Sequence, residues 1–429
     1  MKKLFKKMIE WIIGFEARVV LRKYKPQIIT ITGSVGKTST KDAIYAVLKN
    51  HLYVRRNEKS FNGELGVPLT ILGCQNAWTN PFLWIKNVMK GLALIFLKNH
   101  YPKWLILEIG ADRPGDIEKF RNWFQPDIVV MTKMGETPVH VEFFKSSEDI
   151  LKEKALLVDF LKKDGLLVLN EDEEKFSFLK EKGRKTISYG LTEDSSVYAS
   201  NYIINYTPEN RVVGAGFKVN YSGNTVPVSI NGSIGKHLVY PCLAAFAVAV
   251  SLDINMVNIV SDFATYSGPN GRMRIIQGVK GSIIIDDSYN SSPVALSAAV
   301  QALADIKGSG RKIAILGDMA ELGKYSEQAH KEIGIFAASV FDILITVGKK
   351  ARGFVGGALM GKMDEEKIFQ FEDARQAGKY AEILVDQGDL VLIKGSQSIR
   401  MEKATEEIMA QPQDRERLLV RQEEEWMRR

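Results

Sequence analysis

Cysteine is scarce in this chain, and long uncharged hydrophobic runs are absent. Among 429 residues only Cys74 and Cys242 are cysteines, and they stand far apart with no CxxC spacing. Neither a disulfide framework nor a cysteine zinc ribbon can be built from them, which favours a reducing, cytoplasmic location. The most apolar stretch, residues 81–97, is interrupted by Lys86 and Lys90. It therefore lacks the roughly 18 uncharged residues that a membrane-spanning helix needs.

Internal repeats and low-complexity tracts are also missing, and the composition is that of a globular protein. Hydrophobic residues make up 45% and charged residues 25% of the chain. These proportions exclude disordered, collagenous and solenoid classes. Because 429 residues exceed what one hydrophobic core usually organises, we expect two or three domains.

The excess of positive charge is concentrated at the N-terminus. The net charge is +7, and residues 1–25 hold eight Lys or Arg against Glu10 and Glu16. The remainder carries too little excess charge for a nucleic-acid surface, so no nucleic-acid partner is expected. Apolar residues at helical spacing predict a basic amphipathic helix over residues 2–23 that ends before Pro26. Its apolar face either packs on the adjacent domain or makes a peripheral contact at the inner face of a membrane.

After this arm, short apolar strands alternate with helices, which indicates an α/β fold with mostly parallel sheets. A turn-rich break at residues 267–272 separates two such regions. We expect an N-terminal helix (1–25), a central domain (26–268) and a C-terminal α/β domain with a charged helical tail (269–429). A β-rich patch at residues 197–230 is expected to form an antiparallel edge. The other predicted strands are 28–32, 104–108, 128–132 and 166–169, and then 282–286, 312–316, 343–347 and 390–393.

A strand, a glycine-containing loop and the start of a helix follow one another after residue 28. The loop is a shortened form of the GxxxxGK[ST] phosphate-binding motif. Backbone N–H groups of such a loop surround phosphates, its lysine reaches the terminal phosphates, and its hydroxyl can bind Mg²⁺. The pattern predicts an ATP site. The loop residues are Gly33, Ser34, Val35, Gly36, Lys37, Thr38 and Ser39.

Three further residues are candidates for metal binding or catalysis next to the bound phosphates. Glu108 ends an apolar strand, where a hard oxygen ligand for magnesium would face the crevice of a parallel sheet. His140 lies in a loop after the next strand. Lys154 lies on the apolar face of a helix predicted over residues 147–162, with Ser146 as its cap. Such a lysine either extends to solvent or is buried as a neutral amine, which reacts with carbon dioxide to give a carbamate that binds Mg²⁺.

Together these features resemble the Mur ligase family over about residues 27–402. Residues 62–68 (NGELGVP) and two of the shared motifs point within the family to the D-alanyl-D-alanine-adding ligases. Seven motifs in one order are not expected by chance. They are residues 32–39, Glu108, the pair His140 and Lys154, residues 271–272, residues 287–290 (DSYN), residues 317–323 (GDMAELG) and residues 394–398 (KGSQS).

The resemblance implies a P-loop-containing central Mur ligase domain with a mostly parallel sheet and a C-terminal Rossmann-like α/β domain. It implies an ATP-dependent ligase of peptidoglycan synthesis that activates a carboxylate as an acyl phosphate and joins it to an amine. The implied roles are nucleotide binding for residues 33–39, Arg272, Asp287 and Asn290; magnesium binding for Thr38, Glu108, His140 and carbamylated Lys154; catalysis for Lys37, His140, Lys154 and Arg272; and substrate binding for Asn62, Lys394 and Ser396.

Two features differ from the family pattern. Residues 1–25 stand where the peptidoglycan ligases carry a domain that binds the UDP-sugar, so we expect either a partner protein with that role or a lipid-linked substrate at a membrane. The family's His-Asn-x-x-Asn run near the adenine is replaced by residues 237–241 (HLVYP), with Leu238 and Pro241 at the asparagine positions. Adenine recognition is expected to differ accordingly.

Two other functions stay open from the sequence. One is a Mur-like ligase of another pathway, such as folate polyglutamylation or poly-amino-acid synthesis. The other is a non-catalytic nucleotide-binding scaffold at a membrane, which would need none of Lys37, Glu108, His140, Lys154 and Arg272. The favoured substrates are a small-molecule or lipid-linked cell-wall precursor and an amino acid or dipeptide.

Overall fold

The computed structural model describes residues 2–57, 63–78, 80–111, 113–134, 144, 146–308 and 310–427. Within them, a nine-stranded sheet has the order 2-3-1-4-5-6-7-8-9. Strands from β2 to β7 pair in parallel, and the β7–β8–β9 edge is antiparallel. The strands are β1 (Gln27–Thr32), β2 (Val54–Arg56), β3 (Trp104–Glu108), β4 (Ile128–Met131), β5 (Leu166–Asn170), β6 (Lys185–Gly190), β7 (Val197–Tyr206), β8 (Val212–Tyr221) and β9 (Asn224–Asn231).

A second sheet of six strands follows in the C-terminal part, with the order 10-11-15-12-13-14. Only its first strand runs antiparallel to its neighbour, and the rest pair in parallel. The strands are β10 (Arg274–Gln277), β11 (Ile283–Asp287), β12 (Lys312–Gly317), β13 (Ile343–Val347), β14 (Ile368–Phe371) and β15 (Leu390–Lys394).

Helices cover both sheets. In the first part they are α1 (Lys2–Tyr24), α2 (Lys37–Leu48), α3 (Gly66–Leu72), α4 (Pro81–Phe96), α5 (Ser147–Asp159), α6 (Ser177–Lys180), α7 (Val239–Ser251) and α8 (Met256–Phe263). In the second part they are α9 (Pro293–Asp305), α10 (Ser326–Ala338), α11 (Arg352–Met360), α12 (Ala374–Leu384), α13 (Glu402–Ile408), α14 (Arg415–Leu418) and α15 (Glu424–Met427).

The central strands are hydrophobic on both faces because helices cover both. Strands β3, β4 and β5 are buried at every position, as parallel strands between two helical layers require. Alternate residues of β1 enter different cores: Ile29 and Ile31 pack with residues of α2 and α7, whereas Ile28 packs with residues of α1 and α3. In the register of β1 and β3, Ile31 pairs with Glu108. This pairing brings Glu108 to the sheet edge from which the phosphate loop departs.

The basic N-terminal segment forms α1, and one of its faces packs into the fold. Ile13, Ala17 and Val20 are fully buried, whereas Trp11 and Phe15 are exposed. Among the described residues, no helix is long and apolar enough to cross a membrane.

The structure confirms the predicted fold class and shows the antiparallel edge at residues 197–231. The helix predicted over residues 147–162 ends earlier, at Asp159, because the N–H of Lys162 donates to the carbonyl of Pro126 instead of continuing the helix. Strands β2, β6, β10 and β14 were not predicted, since they are short and partly exposed. The domain limits after residues 25 and 268 stay predictions.

The charged helical tail predicted at the C-terminal end is divided into short helices in the structure. Its described part consists of α13, α14 and α15, separated by extended backbone at Met409 and Leu419. Arg421 has a φ of +59°, and its guanidinium donates to Glu402 at 2.9 Å. A buried ion pair therefore holds the chain in a form that no helix permits.

Candidate active site

The phosphate loop joins β1 to α2 and is closed by its own lysine. Gly36 precedes the helix with a φ of +85°, a left-handed conformation that favours glycine. The ammonium of Lys37 donates to the carbonyls of Gly33 at 2.8 Å and Ser34 at 3.3 Å. The N–H groups of Ser34 and Val35 donate to the carbonyl of Lys133. The lysine thus lies over the loop, where it can exchange two neutral carbonyl acceptors for a phosphate.

Thr38 and Glu108, both predicted as magnesium ligands, meet beside this loop. The hydroxyl of Thr38 donates to both carboxylate oxygens of Glu108, at 3.2 and 3.1 Å. Glu108 is only 1% exposed. These hard oxygen atoms, next to a phosphate loop, are the ligand type that Mg²⁺ prefers.

A second lysine, Lys41, lies at the same place and was not among the predicted site residues. Its ammonium is 3.8 Å from Glu108 and 3.5 Å from Asp42, and its side chain is fully buried. Arg56 also pairs with Asp42, at 2.7 Å, and burial raises the pKa of Asp42. Helical periodicity could have found Lys41, because it shares the face of α2 that buries Ile44.

Lys154 reaches the phosphate loop from α5. Its ammonium donates to the hydroxyl of Ser34 at 2.9 Å, and the residue is 4% exposed. Ser146 caps this helix by accepting from the N–H of Asp149. The neighbouring Glu153 accepts the N–H groups of Gly115 and Ile117 and fixes α5 against the loop after β3. The prediction from helical periodicity thus put Lys154 on the right face, while His140 and Asn62 lie outside the described residues.

On the second sheet, Asp287 and Lys394 form a buried pair that contacts the backbone of Asn290, whose side chain is exposed. Asp287 and Lys394 end neighbouring parallel strands, and their charged groups are 2.6 Å apart. The ammonium of Lys394 also donates to the carbonyl of Asn290 at 2.8 Å. Burial lowers the pKa of Lys394, and Asp287 opposes that shift. The sequence assigned separate roles to residues that the structure joins.

Ser396 and Arg272 lie near this group. The hydroxyl of Ser396 accepts the N–H of Ala320 at 2.7 Å, which ties residues 394–398 to residues 317–323. The guanidinium of Arg272 lies 4.3 Å from the ring centre of Tyr289. Arg272 is therefore positioned by an aromatic face and leaves its donors for an anion.

His237 lies next to the second-sheet group and is the retained part of the altered adenine motif. Burial lowers its pKa to about 4; the charge of Asp287 opposes this shift, and the charges of Lys394 and Arg272 add to it. Its Nδ1 has no hydrogen-bond partner among the described residues. Leu238 and Pro241, at the two asparagine positions, are buried. The apolar replacements therefore serve the core, while a neutral imidazole faces the other site residues.

A cavity of about 690 Å³ connects the two parts of the site. Its walls include Thr38 from the phosphate-loop side and Arg272 from the other side. The C-terminal tail contributes Trp426, whose ring makes an edge contact with Trp78 at 6.3 Å. A volume of this size suits a nucleotide or a small substrate. The contribution of the tail was not predicted, because a contact between such distant segments leaves no local pattern in the sequence.

Comparison with known proteins gives the same picture. The Mur ligase middle domain matches residues 31–249, and the "Mur ligase, glutamate ligase domain" matches residues 271–397. The chain belongs to the Mur ligase family. Relatives within this family include the UDP-N-acetylmuramoyl-tripeptide--D-alanyl-D-alanine ligase of Bacillus subtilis, 28% identical over 92% of this chain and 79% of the relative. The Escherichia coli ligase of the same name is 26% identical over 91% and 78%.

Solved Mur ligase structures share the fold. The MurF ligase from Thermotoga maritima in complex with ADP matches with a TM-score of 0.75 and 26% identity, over 92% of this chain and 82% of that chain. The folylpolyglutamate synthase of Mycobacterium tuberculosis, complexed with ADP, matches with a TM-score of 0.63 at 14% identity, over 94% and 97%. This second likeness shows the fold alone. The family recognised from the sequence motifs is thus confirmed.

This Mur ligase has a donor set that fits ATP and Mg²⁺. The ammonium of Lys37 already donates hydrogen bonds to loop carbonyls, and Thr38 with Glu108 offers three oxygen atoms within one contact. Within the described ranges, no three His, Cys, Asp or Glu side chains converge as metal ligands. A magnesium ion beside Glu108 would therefore need hydroxyl and phosphate oxygens to complete its ligands.

Proposed function

We propose that this Mur ligase joins a carboxylate of a peptidoglycan peptide precursor to the amino group of D-alanyl-D-alanine, with ATP as the energy source. The observation that carries the proposal is the convergence of three motifs on one loop: Lys37 and Thr38 within it, Glu108 on Thr38, and Lys154 on Ser34. The names of the relatives supply the substrates. The arrangement supports phosphoryl transfer, since it gathers cations and oxygen ligands around a phosphate loop.

The reaction follows from the charges. A carboxylate is a poor electrophile, and its charge repels the terminal phosphate of ATP. Lys37 and Arg272 offset that repulsion, so a carboxylate oxygen bonds to the γ-phosphorus while the bond to the β-phosphate oxygen breaks and ADP leaves. The neutral amine then bonds to the acyl carbon, its proton passes to solvent or a base, and inorganic phosphate departs with the oxygen that came from the carboxylate.

Magnesium would be held by Thr38, Glu108, His140 and a carbamate on Lys154. When bound, Mg²⁺ neutralises charge on the phosphates. The burial of Lys154 beside Ser34 supports the carbamate. A carbamate would replace an enclosed cation with an oxygen ligand, which would accept a hydrogen bond from the Ser34 hydroxyl. Asp287 and Asn290 are proposed to contact the nucleotide, and Asn62, Lys394 and Ser396 to contact substrate.

We propose that the enzyme binds its precursor at the cytoplasmic face of a membrane and that residues 1–23 make a peripheral contact with that membrane. The rings of Trp11 and Phe15 stack at 5.9 Å on the exposed face of α1, which suits a lipid interface. A partner protein that binds the UDP-sugar is the alternative. Full activity of the purified chain on the soluble precursor would remove the need for that partner.

The test is amine-dependent release of ADP from the purified chain, with mass spectrometry of the product. The precursor and a panel of amino acids and dipeptides are offered, and we expect an amide only with D-alanyl-D-alanine or a close analogue. Lys37→Ala should abolish turnover, while Lys163→Ala, at an exposed position beyond the end of α5, should not. An amide of glutamate with a folate would assign the chain to another pathway. Failure to form any amide would overturn the proposal.

A further inference from the structure

Helix α4 carries a stripe of large apolar side chains that point to solvent. The stripe comprises Phe82, Ile85, Met89, Leu92 and Phe96, which recur every three or four residues and so share one face. Phe82 is 79% exposed, Phe96 78%, and Ile85 and Met89 59% each. The opposite face is buried through Trp84, Asn87, Gly91 and Leu94. A continuous exposed apolar stripe of this kind marks an interaction surface.

The helix is held firmly although its outer face is exposed in the part of the chain that the structure describes. Asn80 caps its first turn by accepting the N–H groups of Phe82 and Leu83. The amide of Asn87 donates to the carbonyl of Gln75 at 2.8 Å. At the other end, the ammonium of Lys23 donates to the carbonyls of Leu94, Ile95 and Leu97. The stripe therefore lies on a helix that is anchored at both ends.

Helix α1 runs beside α4 in the same direction. Glu16 lies against Gly91, since a Cβ on that glycine would meet the Glu16 carboxylate at 2.1 Å. Further along both helices, the hydroxyl of Tyr24 donates to the carbonyl of Leu94 at 2.9 Å. Helix α1 contributes its own exposed aromatic residues, Trp11 and Phe15. Two neighbouring helices thus expose apolar faces.

Helix α4 and the segments on either side of it carry charge of one sign, whereas α1 also contains Glu10 and Glu16. Residues 65–107 contain Lys86, Lys90, Lys98 and Lys103 and no aspartate or glutamate. Lys86 and Lys98 are exposed, as are Lys7, Arg22 and Lys25 of the adjoining α1 region. A second copy of this chain would bring like charges together, whereas an anionic lipid surface accepts both the cations and the apolar side chains.

We propose that α4, together with α1, forms a docking surface for a bilayer rich in anionic phospholipid. The stripe inserts among the acyl chains near the headgroups, and the lysines on its flanks pair with lipid phosphates. This surface extends the membrane contact proposed for residues 1–23. It rests on the proposed function only for the choice of which side of the protein faces the membrane. The site would then work on a precursor delivered at that membrane.

The test is co-sedimentation of the full chain with vesicles of phosphatidylglycerol mixed with phosphatidylcholine, against vesicles of phosphatidylcholine alone. We expect binding to the anionic vesicles that falls as salt rises. The stripe variant Phe82→Ser, Ile85→Ser, Phe96→Ser should bind on the order of 100-fold more weakly, because it removes three inserting side chains. The matched control Val257→Ser, Ile383→Ser removes side chains of similar exposure, 69% and 78%, elsewhere on the surface and should bind as the parent does.

The other outcomes separate the ideas. A Trp11→Ser, Phe15→Ser variant that alone loses binding, while the stripe variant keeps it, would leave the contact of residues 1–23 standing and overturn the role of α4. Equal binding to neutral vesicles, or a dimer in solution that the stripe substitution dissociates, would overturn the anionic-lipid assignment. Ligase turnover on a soluble precursor, unchanged in all these variants, shows that they fold and keeps a failure here distinct from failure of the proposed function.

Discussion

Replacing Lys154 with alanine tests whether this buried lysine belongs to the reacting centre or only to the wall of the phosphate loop. In the structure its ammonium has the hydroxyl of Ser34 as a partner at 2.9 Å. If the lysine serves only to hold the Ser34 hydroxyl, Ser34→Ala removes the same bond. The two variants should then be equally impaired.

The magnitudes differ enough to decide. Loss of one buried hydrogen bond costs about 0.5–1.5 kcal/mol, which is at most roughly a tenfold loss in rate. Loss of a group that stabilises charge in the transition state costs about 2.7–4 kcal/mol, or roughly 100–1000-fold in kcat. We expect the larger loss for Lys154→Ala and the smaller one for Ser34→Ala. Lys154→Arg should also be inactive, because a guanidinium forms no carbamate.

The assay measures kcat from phosphate release and nucleotide affinity by calorimetry in parallel. Lys154→Ala should keep nucleotide affinity, and small carboxylates should restore part of its turnover by supplying the missing oxygen ligand. Turnover within tenfold of the parent, or a loss that matches Ser34→Ala, would refute the carbamate reasoning.

Three other substitutions act through buried groups. Lys41→Met removes the cation beside Glu108 and should lower the free energy of unfolding by about 3–5 kcal/mol. Adding Glu108→Gln should recover most of this loss in thermal melts. A double variant no more stable than Lys41→Met would contradict the pairing. Burial raises the pKa of Glu16 from 4.5 to about 7, so the native state binds the extra proton and stability falls as pH rises between these values. Glu16→Gln should therefore raise the melting temperature more at pH 8 than at pH 5, and an equal rise at both would contradict this. Gly33→Ala places a Cβ 2.0 Å from the hydroxyl oxygen of Thr132. The resulting strain of about 1–3 kcal/mol should distort the phosphate loop and raise the KM for ATP. An unchanged KM would show that the loop adapts.

Much of the site could be predicted because its parts are local. The phosphate loop is one continuous segment, and the placement of Lys154 needed only helical periodicity. Glu108 needed the rule that parallel strands present their carboxyl ends at one edge. The same periodicity also indicates Lys41, which lies on the buried face of α2.

Other features depend on contacts between distant segments. The 2.6 Å pairing of Asp287 with Lys394 is set by the register of β11 and β15, which no local pattern encodes. The course of the tail depends on a buried ion pair between Arg421 and Glu402, so the breaks between its helices could not be predicted from its charge pattern. Residues 81–97 were recognisably apolar, but which face of α4 remains exposed is decided by how α1 and α3 pack beneath it.

The most direct test of the account follows an oxygen atom. A precursor with an ¹⁸O-labelled carboxylate, ATP and D-alanyl-D-alanine are given to the purified chain, and the released inorganic phosphate is analysed by mass spectrometry. Transfer of the terminal phosphate to the carboxylate predicts that each phosphate carries one ¹⁸O atom from the acid. Amide formation with unlabelled phosphate would contradict the acyl-phosphate route and, with it, the roles assigned to Lys37 and Arg272.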